Sequence, residues 1–175
     1  MSSFYGQTII GLIMSDILIR EVQAKDNEAL VELVYVTLDE FGAKGDGFAM
    51  ADEELLDMYS SYQLSGKHYY VVEKDGKVHG GAGVAPLDDK HNPNMCELRK
   101  MYFSPELRGQ GVGKLMIDRC IKKAQKMGYQ GMYLETIDGM EIAQKLYVSR
   151  GFEYLDERMG NTGHHACPVF MLKKL

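Results

Sequence analysis

The sequence predicts a single domain of the mixed α/β (α+β) class, on three observations. Its 175 residues suit one domain with one core. Strand-like and helix-periodic runs follow in the order β-α-α-β-β-β-α-β-α-β-β, without an internal repeat or a dividing linker. Asp75-Gly76 separates two β-rich runs and favours a type I′ turn, so residues 68–86 are predicted to form a hairpin. We assign residues 14–175 to the domain and residues 1–13 to an N-terminal extension.

The first half of the chain has signals for a strand and two helices in addition to the hairpin. A strand is predicted over 16–22, and a helix follows from Asn27 with Asp26 as its N-cap. A second helix is predicted from about Asp52. Four apolar or aromatic residues would lie on one side of it, namely Leu55, Leu56, Tyr59 and Tyr62.

The middle of the chain predicts a strand followed by an amphipathic helix. The strand over 95–105 ends at Pro105, and Arg99-Lys100 disturbs its alternation in a way that permits a β-bulge. The helix begins at Gly113, and Gly128 suits its C′ position. Its apolar face consists of Met116, Ile117, Cys120, Ile121, Ala124 and Met127.

The C-terminal part predicts a strand over 131–137, one helix and two last strands. Asp138 and Glu141 resemble a capping box for the helix, which runs through Ser149 and is closed by Gly151. The last strands lie in "FEYLDER" and "PVFMLKKL", and the loop "MGNTGHHAC" joins them.

Composition argues against several classes of function. The formal net charge of −5 disfavours nucleic-acid binding, because phosphate backbones require a basic surface. Cys96, Cys120 and Cys167 form a poor disulfide framework, and without a secretory signal they indicate reduced thiols in a cytoplasmic protein. The mildly apolar residues 1–13 are too few to span a membrane, so no membrane partner is expected.

Gly109, Gly111 and Gly113 occupy alternate positions just before the amphipathic helix. A glycine-rich turn at a helix N-terminus is suited to phosphate, because unpaired N–H groups converge there. The spacing fits neither a Walker A loop nor the dinucleotide fingerprint. It fits the pattern [Q/R]-x-x-G-x-[G/A], as Arg108-Gly109-Gln110-Gly111-Val112-Gly113.

This hexapeptide, the strand "CELRKMYF" before it and the segment "AQKLYVSRGF" after it together resemble the GNAT superfamily of N-acetyltransferases. The last segment is similar to the family's A-x-x-L-Y-x-x-x-G-F signature in Ala143, Leu146, Tyr147, Gly151 and Phe152. The resemblance covers residues 16–175. It implies an acetyl-CoA-dependent enzyme whose mostly antiparallel sheet has splayed central strands between flanking helices.

The resemblance implies acetyl-CoA as the cosubstrate and indicates the residues that bind it. The pantetheine arm would lie between the strands over 96–103 and 131–136 and bond the backbone around Met101, Tyr102 and Phe103. A nearby N–H would face the thioester oxygen. The diphosphate would lie on the glycine loop and first helical turn, at Arg108, Gly109, Gln110, Gly111, Val112, Gly113 and Lys114.

Two residues are candidate catalytic groups. The resemblance implies that Tyr147 contacts the cofactor and donates a proton to the departing CoA thiolate, since a phenol stays protonated at neutral pH. The alternative for Tyr147 is a helix tyrosine that only packs on its ring. Glu97 lies on the strand beside the thioester and is the candidate base for the amine. Its alternative is a strand glutamate paired with a lysine or arginine.

The C-terminal loop and an acidic run complete the candidate residues. His164, His165 and Cys167 have no second ligand cluster, so no metal is predicted and one histidine is expected to lie inward near the acceptor pocket. The run 52–54 suggests a cationic amine. The expected partners are a small-molecule or peptide amine and a second copy in a homodimer. The alternative function is a non-catalytic acyl-CoA-binding sensor on the same fold.

Overall fold

The computed structural model describes residues 17–175, and seven strands in it form one sheet. The strands are β1 (Ile17–Glu21), β2 (His68–Lys74), β3 (Lys77–Pro86), β4 (Met95–Phe103), β5 (Gly131–Thr136), β6 (Glu153–Leu155) and β7 (Val169–Lys174). They lie in the order β1-β2-β3-β4-β5-β7-β6. Each neighbouring pair is antiparallel except β4 and β5, which are parallel. The predicted extension over residues 1–13 lies outside the described residues.

Helices cover both faces of this sheet. They are α1 (Asn27–Glu40), α2 (Met58–Ser61), α3 (Val112–Lys126) and α4 (Glu141–Ser149). Consecutive residues of β2 belong to different cores, because side chains alternate along a strand. Val72 packs in the core formed with α3 and α4, and Val71 packs in the core formed with α1 and α2. Within residues 17–175, no helix has the length and apolar composition needed to cross a membrane.

The predicted hairpin is confirmed, and it joins β2 to β3. Asp75 and Gly76 have positive φ angles of 50° and 74°, as a type I′ turn requires at both central positions. Lys74 pairs with Lys77 directly beside the turn. The turn therefore sets the register in which β2 and β3 enter the centre of the sheet.

A β-bulge interrupts β4 at the predicted place. Gly81 pairs with Tyr102 and Gly83 with Arg99, so β4 has one residue more than β3 in this interval. Lys100 has a positive φ of 49°. The hydroxyl of Tyr69 donates a hydrogen bond to the Lys100 carbonyl at 2.8 Å, which holds the bulge against β2.

The strands β4 and β5 diverge halfway along their length. Their paired residues are Met95 with Gly131, Cys96 with Met132, and Glu97 with Tyr133. Beyond this last pair, β4 continues to Phe103 and β5 to Thr136 without pairing to each other. The predicted splay of the central strands is therefore confirmed, and it leaves backbone groups of both strands facing a gap.

The predicted second helix is wrong over most of its length. The chain forms 3₁₀ turns over Ala49–Ala51 and Glu53–Asp57 before the short α2. The tighter 3₁₀ winding aligns residues three apart, so Leu55 and Met58 share the buried side. Leu56, which was predicted to face inward, is 73% exposed.

Two predicted capping arrangements are also corrected. Helix α1 begins at Asn27 as predicted, but the Asp26 carboxylate makes no cap bond to it and instead accepts hydrogen bonds from Arg20 and the Gln23 N–H. Helix α4 has Met140 as its N-cap, without a side-chain bond. A separate turn, in which the Met140 N–H donates to the Ile137 carbonyl, leaves Asp138 outside the helix.

Candidate active site

A cavity opens where β4 and β5 diverge. Its walls consist of residues 97–102 of β4, residues 134–137 at the end of β5, and side chains from α1, α4 and the C-terminal loop. Four residues that the sequence predicts for catalysis or cofactor binding meet at this cavity, namely Glu97, Met101, Tyr102 and Tyr147. Phe103 follows on β4 and packs against the core formed with α3.

Glu97 is a buried carboxylate on the cavity wall. The Arg99 Nε donates a hydrogen bond to Oε2 at 2.6 Å, and Oε1 lies 3.6 Å from Nδ1 of His164. Burial raises the pKa of the Glu97 carboxyl, and the nearby charges of Arg99 and His164 oppose this rise without cancelling it. A carboxylate with a raised pKa is a better proton acceptor near neutral pH than an ordinary glutamate.

Tyr147 lies on α4 and is also buried on the cavity wall. Its ring packs beside Phe152, with the ring centroids 5.9 Å apart. Burial raises the pKa of the phenol above its ordinary value of 10.0, and the neighbouring Cys120 adds to this effect. The phenol therefore stays protonated at neutral pH, which is the state that a proton donor needs.

The glycine loop lies at the N-terminus of α3. Gly109 and Gly111 have positive φ angles of 74° and 79°, a conformation that L side chains rarely adopt. The Leu115 N–H makes a helical bond to the Gly111 carbonyl. The preceding N–H groups, those of Val112, Gly113 and Lys114, open the helix without helical partners.

Gly113 is required for a different reason from Gly111. A Cβ atom at Gly113 would lie 3.3 Å from Leu146, which is closer than most packed Cβ contacts. A Cβ atom at Gly111 would meet nothing within 4 Å. The loop therefore uses Gly109 and Gly111 for its backbone conformation, and Gly113 lies close to Leu146 of α4.

Arg108 is held beside this loop by α1. Its guanidinium forms a bidentate ion pair with the Glu40 carboxylate at 2.6 and 2.7 Å, and its Nε donates a hydrogen bond to the Phe103 carbonyl. The guanidinium also lies 5.8 Å from the ring of Phe41. Arg108 thus connects the end of α1 to the end of β4, next to the N–H groups of the loop. Gln110 also bonds within the loop region, to the Glu106 carbonyl.

A cluster of buried ion pairs lies behind the cavity. The ammonium of Lys100 is inaccessible to solvent and contacts Asp52 at 2.6 Å and Glu54 at 2.5 Å. Glu54 also contacts Lys67 at 3.0 Å and Arg99 at 3.5 Å. The acidic run over 52–54, which suggests a cationic acceptor on sequence alone, therefore has two of its carboxylates neutralised by cations of the protein itself.

The C-terminal loop contributes His164 to the cavity, so the predicted inward histidine is found. His164 is 8% exposed, and its Nε2 lies 3.0 and 3.1 Å from the two carboxylate oxygens of Asp52. His165 is exposed, although its ring lies against Gly47. In the part of the chain that the structure describes, no group of three or more His, Cys, Asp or Glu residues is arranged to hold a metal ion.

Glu135 is a second buried carboxylate at the cavity, and the sequence analysis missed it. Its Oε1 accepts a hydrogen bond from the Tyr133 hydroxyl at 2.7 Å and lies 3.1 Å from Nε of Arg158. Its Oε2 is buried and has no hydrogen-bond partner within residues 17–175. The sequence does contain a signal for Glu135, which is an acidic residue inside an otherwise buried strand. A buried charge is costly unless it is paired, so such a residue is a candidate for a functional site.

Comparison with known proteins identifies the class to which this site belongs. A sequence model described as the acetyltransferase (GNAT) family matches residues 37–152. The chain is 39% identical over 157 residues to the uncharacterized N-acetyltransferase YjgM of Escherichia coli, which covers 89% of this chain and 93% of that protein. The chain therefore belongs to the GNAT family of acetyltransferases. The predicted family and enzyme class are confirmed.

Solved structures agree with this assignment. A GNAT-family acetyltransferase from Staphylococcus aureus superposes with a TM-score of 0.78 at 25% identity, covering 91% of this chain and 99% of that one. The PaiA N-acetyltransferase of Thermoplasma acidophilum, crystallised in complex with coenzyme A, superposes with a TM-score of 0.70 at 20% identity and covers 91% and 99%. The predicted fold is thus confirmed across nearly the whole chain.

Proposed function

We propose that the protein transfers the acetyl group of acetyl-CoA to a primary amine of a small molecule or a peptide, by direct attack within a ternary complex. Membership of the GNAT family of acetyltransferases indicates acetyl-CoA as the cosubstrate. The observation that carries the proposal is the cavity between the diverging strands, which has a buried carboxylate and a buried phenol on its wall.

The glycine loop and the diverging strands would hold the cosubstrate. The N–H groups at the start of α3 suit the diphosphate, because the helix dipole adds positive potential there. The unpaired backbone of β4 around Met101 suits the pantetheine arm, which would add to the sheet as a short strand. Crystallisation of the fold neighbour PaiA with coenzyme A supports this placement.

Glu97 and Tyr147 would manage the protons of the transfer. Glu97 accepts a proton from the acceptor ammonium, so that the nitrogen lone pair can attack the thioester carbonyl carbon. The carbon–sulfur bond then breaks and the electron pair goes to sulfur. Tyr147 donates its phenolic proton to sulfur as that bond breaks, so that CoA leaves as the thiol. The nitrogen still carries one proton too many after the attack, and it gives this proton to the phenolate, which restores Tyr147. Burial of both groups supports these roles.

The second candidate is a sensor that binds acetyl-CoA without turning it over. The same fold would serve both functions, since a fold does not fix the chemistry. The presence of both Glu97 and Tyr147 at the cavity favours the enzyme. A sensor would need neither group.

A panel of amines distinguishes the two functions. The panel contains polyamines, aminoglycosides, amino acids and peptide N-termini, and each reaction is followed by release of the CoA thiol and by the mass of the acetylated product. An enzyme releases thiol in the presence of at least one amine class and acetylates that amine. A protein that binds acetyl-CoA but acetylates no member of the panel is the sensor.

A further inference from the structure

His164 lies between two carboxylates at the back of the cavity. Its Nε2 is 3.0 Å from Asp52, and its Nδ1 is 3.6 Å from Oε1 of Glu97. Each ring nitrogen therefore faces one acidic group, although these residues are far apart in sequence. This arrangement joins the turn before α2, the strand β4 and the C-terminal loop.

The imidazole is held firmly in this orientation. The backbone N–H of His164 donates a hydrogen bond to the Thr162 hydroxyl. The backbone carbonyl of His164 accepts hydrogen bonds from the Arg158 guanidinium and from the Cys167 N–H. Asp52 is itself fixed by the buried ammonium of Lys100 at 2.6 Å. The ring is therefore fixed through its own loop and through its carboxylate partner.

The ring of His164 is surrounded by charged groups. Burial alone would raise the pKa of Asp52, but the hydrogen bond from His164 and the charge of Lys100 lower it, so this partner stays anionic. Lys100 contacts Asp52 and Arg99 contacts Glu97, so each carboxylate that faces the ring is also paired with a cation. Imidazole exchanges protons near neutral pH more readily than other side chains.

The base needs an exit for its proton. The Glu97 side chain is 2% exposed, while the His164 side chain is 10% exposed and the Asp52 side chain 21%. A proton that reaches Glu97 from an amine therefore has little direct access to water. The ring of His164 lies next to Glu97 and is more exposed to solvent than the Glu97 side chain.

We propose that His164 is a positioning residue for this reaction, which faces the Glu97 carboxylate and receives its proton at Nδ1 through one bridging water. Asp52 fixes the ring at Nε2 and stabilises the imidazolium that forms. One proton moves from Glu97 to His164 and then to water, and no other bond changes. This inference rests on the proposed acetyl transfer with Glu97 as the base.

His164→Gln tests this role, with His165→Gln as the matched control on the exposed neighbour. We expect His164→Gln to lower kcat at least about tenfold with unchanged acetyl-CoA affinity, as the loss of part of an acid–base pathway does. We also expect imidazole buffer to restore part of the lost kcat. A kcat within about twofold of wild type, or a loss that imidazole does not restore, overturns the inference.

Asp52→Asn keeps the histidine and gives an independent readout if His164→Gln misfolds. Without the carboxylate the ring loses the partner that orients it at Nε2, so kcat should fall several-fold while acetyl-CoA affinity stays unchanged. A kcat of Asp52→Asn within about twofold of wild type overturns the inference. If wild type acetylates an amine while both variants match it, only this inference fails. If wild type acetylates no amine, the proposed function fails as well.

Discussion

Glu97 on β4 and Glu135 on β5 are two buried carboxylates that line the cavity, and they differ in their surroundings. Glu97 has a raised pKa and faces a histidine, whereas Glu135 is bonded by Tyr133 and has one oxygen without a partner among residues 17–175. We expect Glu97→Gln to lower kcat by about 10²–10⁴-fold, and Glu135→Gln by less than about tenfold. Acetyl-CoA affinity should be unchanged in both variants.

The pH profile of these two variants separates the roles further. A base must be ionised, and the pKa of Glu97 is raised above its ordinary 4.5, so kcat should fall as the pH drops through this raised value. Glu97→Gln should remove that dependence, and Glu135→Gln should keep it. A larger loss of kcat in Glu135→Gln than in Glu97→Gln would move the base to β5.

Tyr147→Phe isolates the phenol, because the ring is kept and only the hydroxyl is lost. The ring contact with Phe152 remains, so we expect the melting temperature and acetyl-CoA affinity to stay close to wild type. We expect kcat and kcat/KM to fall together, which marks an interaction made in the transition state. Unchanged turnover would show that the thiolate leaves without help from this residue.

The sequence could single out Glu97 and Tyr147, which both line the cavity, because each lies inside a segment that resembles the family. It could not show that Asp52 and His164 are in contact, since that contact joins residues 112 positions apart through two irregular segments. It likewise could not show that Glu135 has an unpartnered oxygen. Such facts depend on tertiary packing rather than on spacing along the chain.

At the scale of elements, the segment before α2 is fixed by charge rather than by helix propensity. Burial alone would raise the pKa of Glu54, but Lys100, Arg99 and Lys67 lower it from 4.5 to about 2. The unfolded chain therefore binds more protons than the folded one between these values. This carboxylate stabilises the fold above pH 4.5, and the contribution is lost as the pH falls toward 2.

Glu54→Gln should remove this dependence. Because the pKa of Glu54 is about 2 in the folded chain against 4.5 as the ordinary value, its protonation lowers the free energy of unfolding by about 2 kcal/mol between pH 6 and pH 3. We expect the free energy of unfolding, measured with urea, to change less between pH 6 and pH 3 in Glu54→Gln than in wild type, by about 2 kcal/mol. Glu53→Gln, at the exposed neighbour, should behave as wild type. Equal pH dependence in both variants would contradict the ion-pair assignment.

Elements with strong local signals were predicted correctly, and those held by tertiary contacts were not. The hairpin follows from Asp75-Gly76, and α3 follows from its apolar face and Gly128. The segment over 49–62 instead bends to place its carboxylates on Lys100, which a periodicity search over the sequence cannot detect. Cap assignments failed for a similar reason, since Asp26 is bound by Arg20.

At the scale of the whole molecule, acetyl-CoA should stabilise the fold. Ligand at about 100 times its Kd adds about 2.7 kcal/mol, which corresponds to a rise of roughly 5–10 °C in Tm for a chain of this size. Gly111→Glu should abolish this rise, because it places a negative charge on the loop that receives the diphosphate.

Gly128→Glu is the matched control for this substitution. Gly128 also has a positive φ, of 86°, and open space around it, but it lies at the other end of α3. Both variants should lose similar intrinsic stability, and only Gly128→Glu should keep the response to acetyl-CoA. A wild-type protein that shows no rise at millimolar acetyl-CoA would contradict the assignment of the loop.

The most direct test of direct transfer is the mass of the protein and of the acceptor after mixing with acetyl-CoA, with and without the amine identified by the panel. We predict that CoA is released only when the amine is present, that the amine gains the acetyl group, and that the mass of the protein stays constant from the first turnover onward. An acetylated protein that forms without the amine and then passes its acetyl group to it would contradict direct attack in a ternary complex.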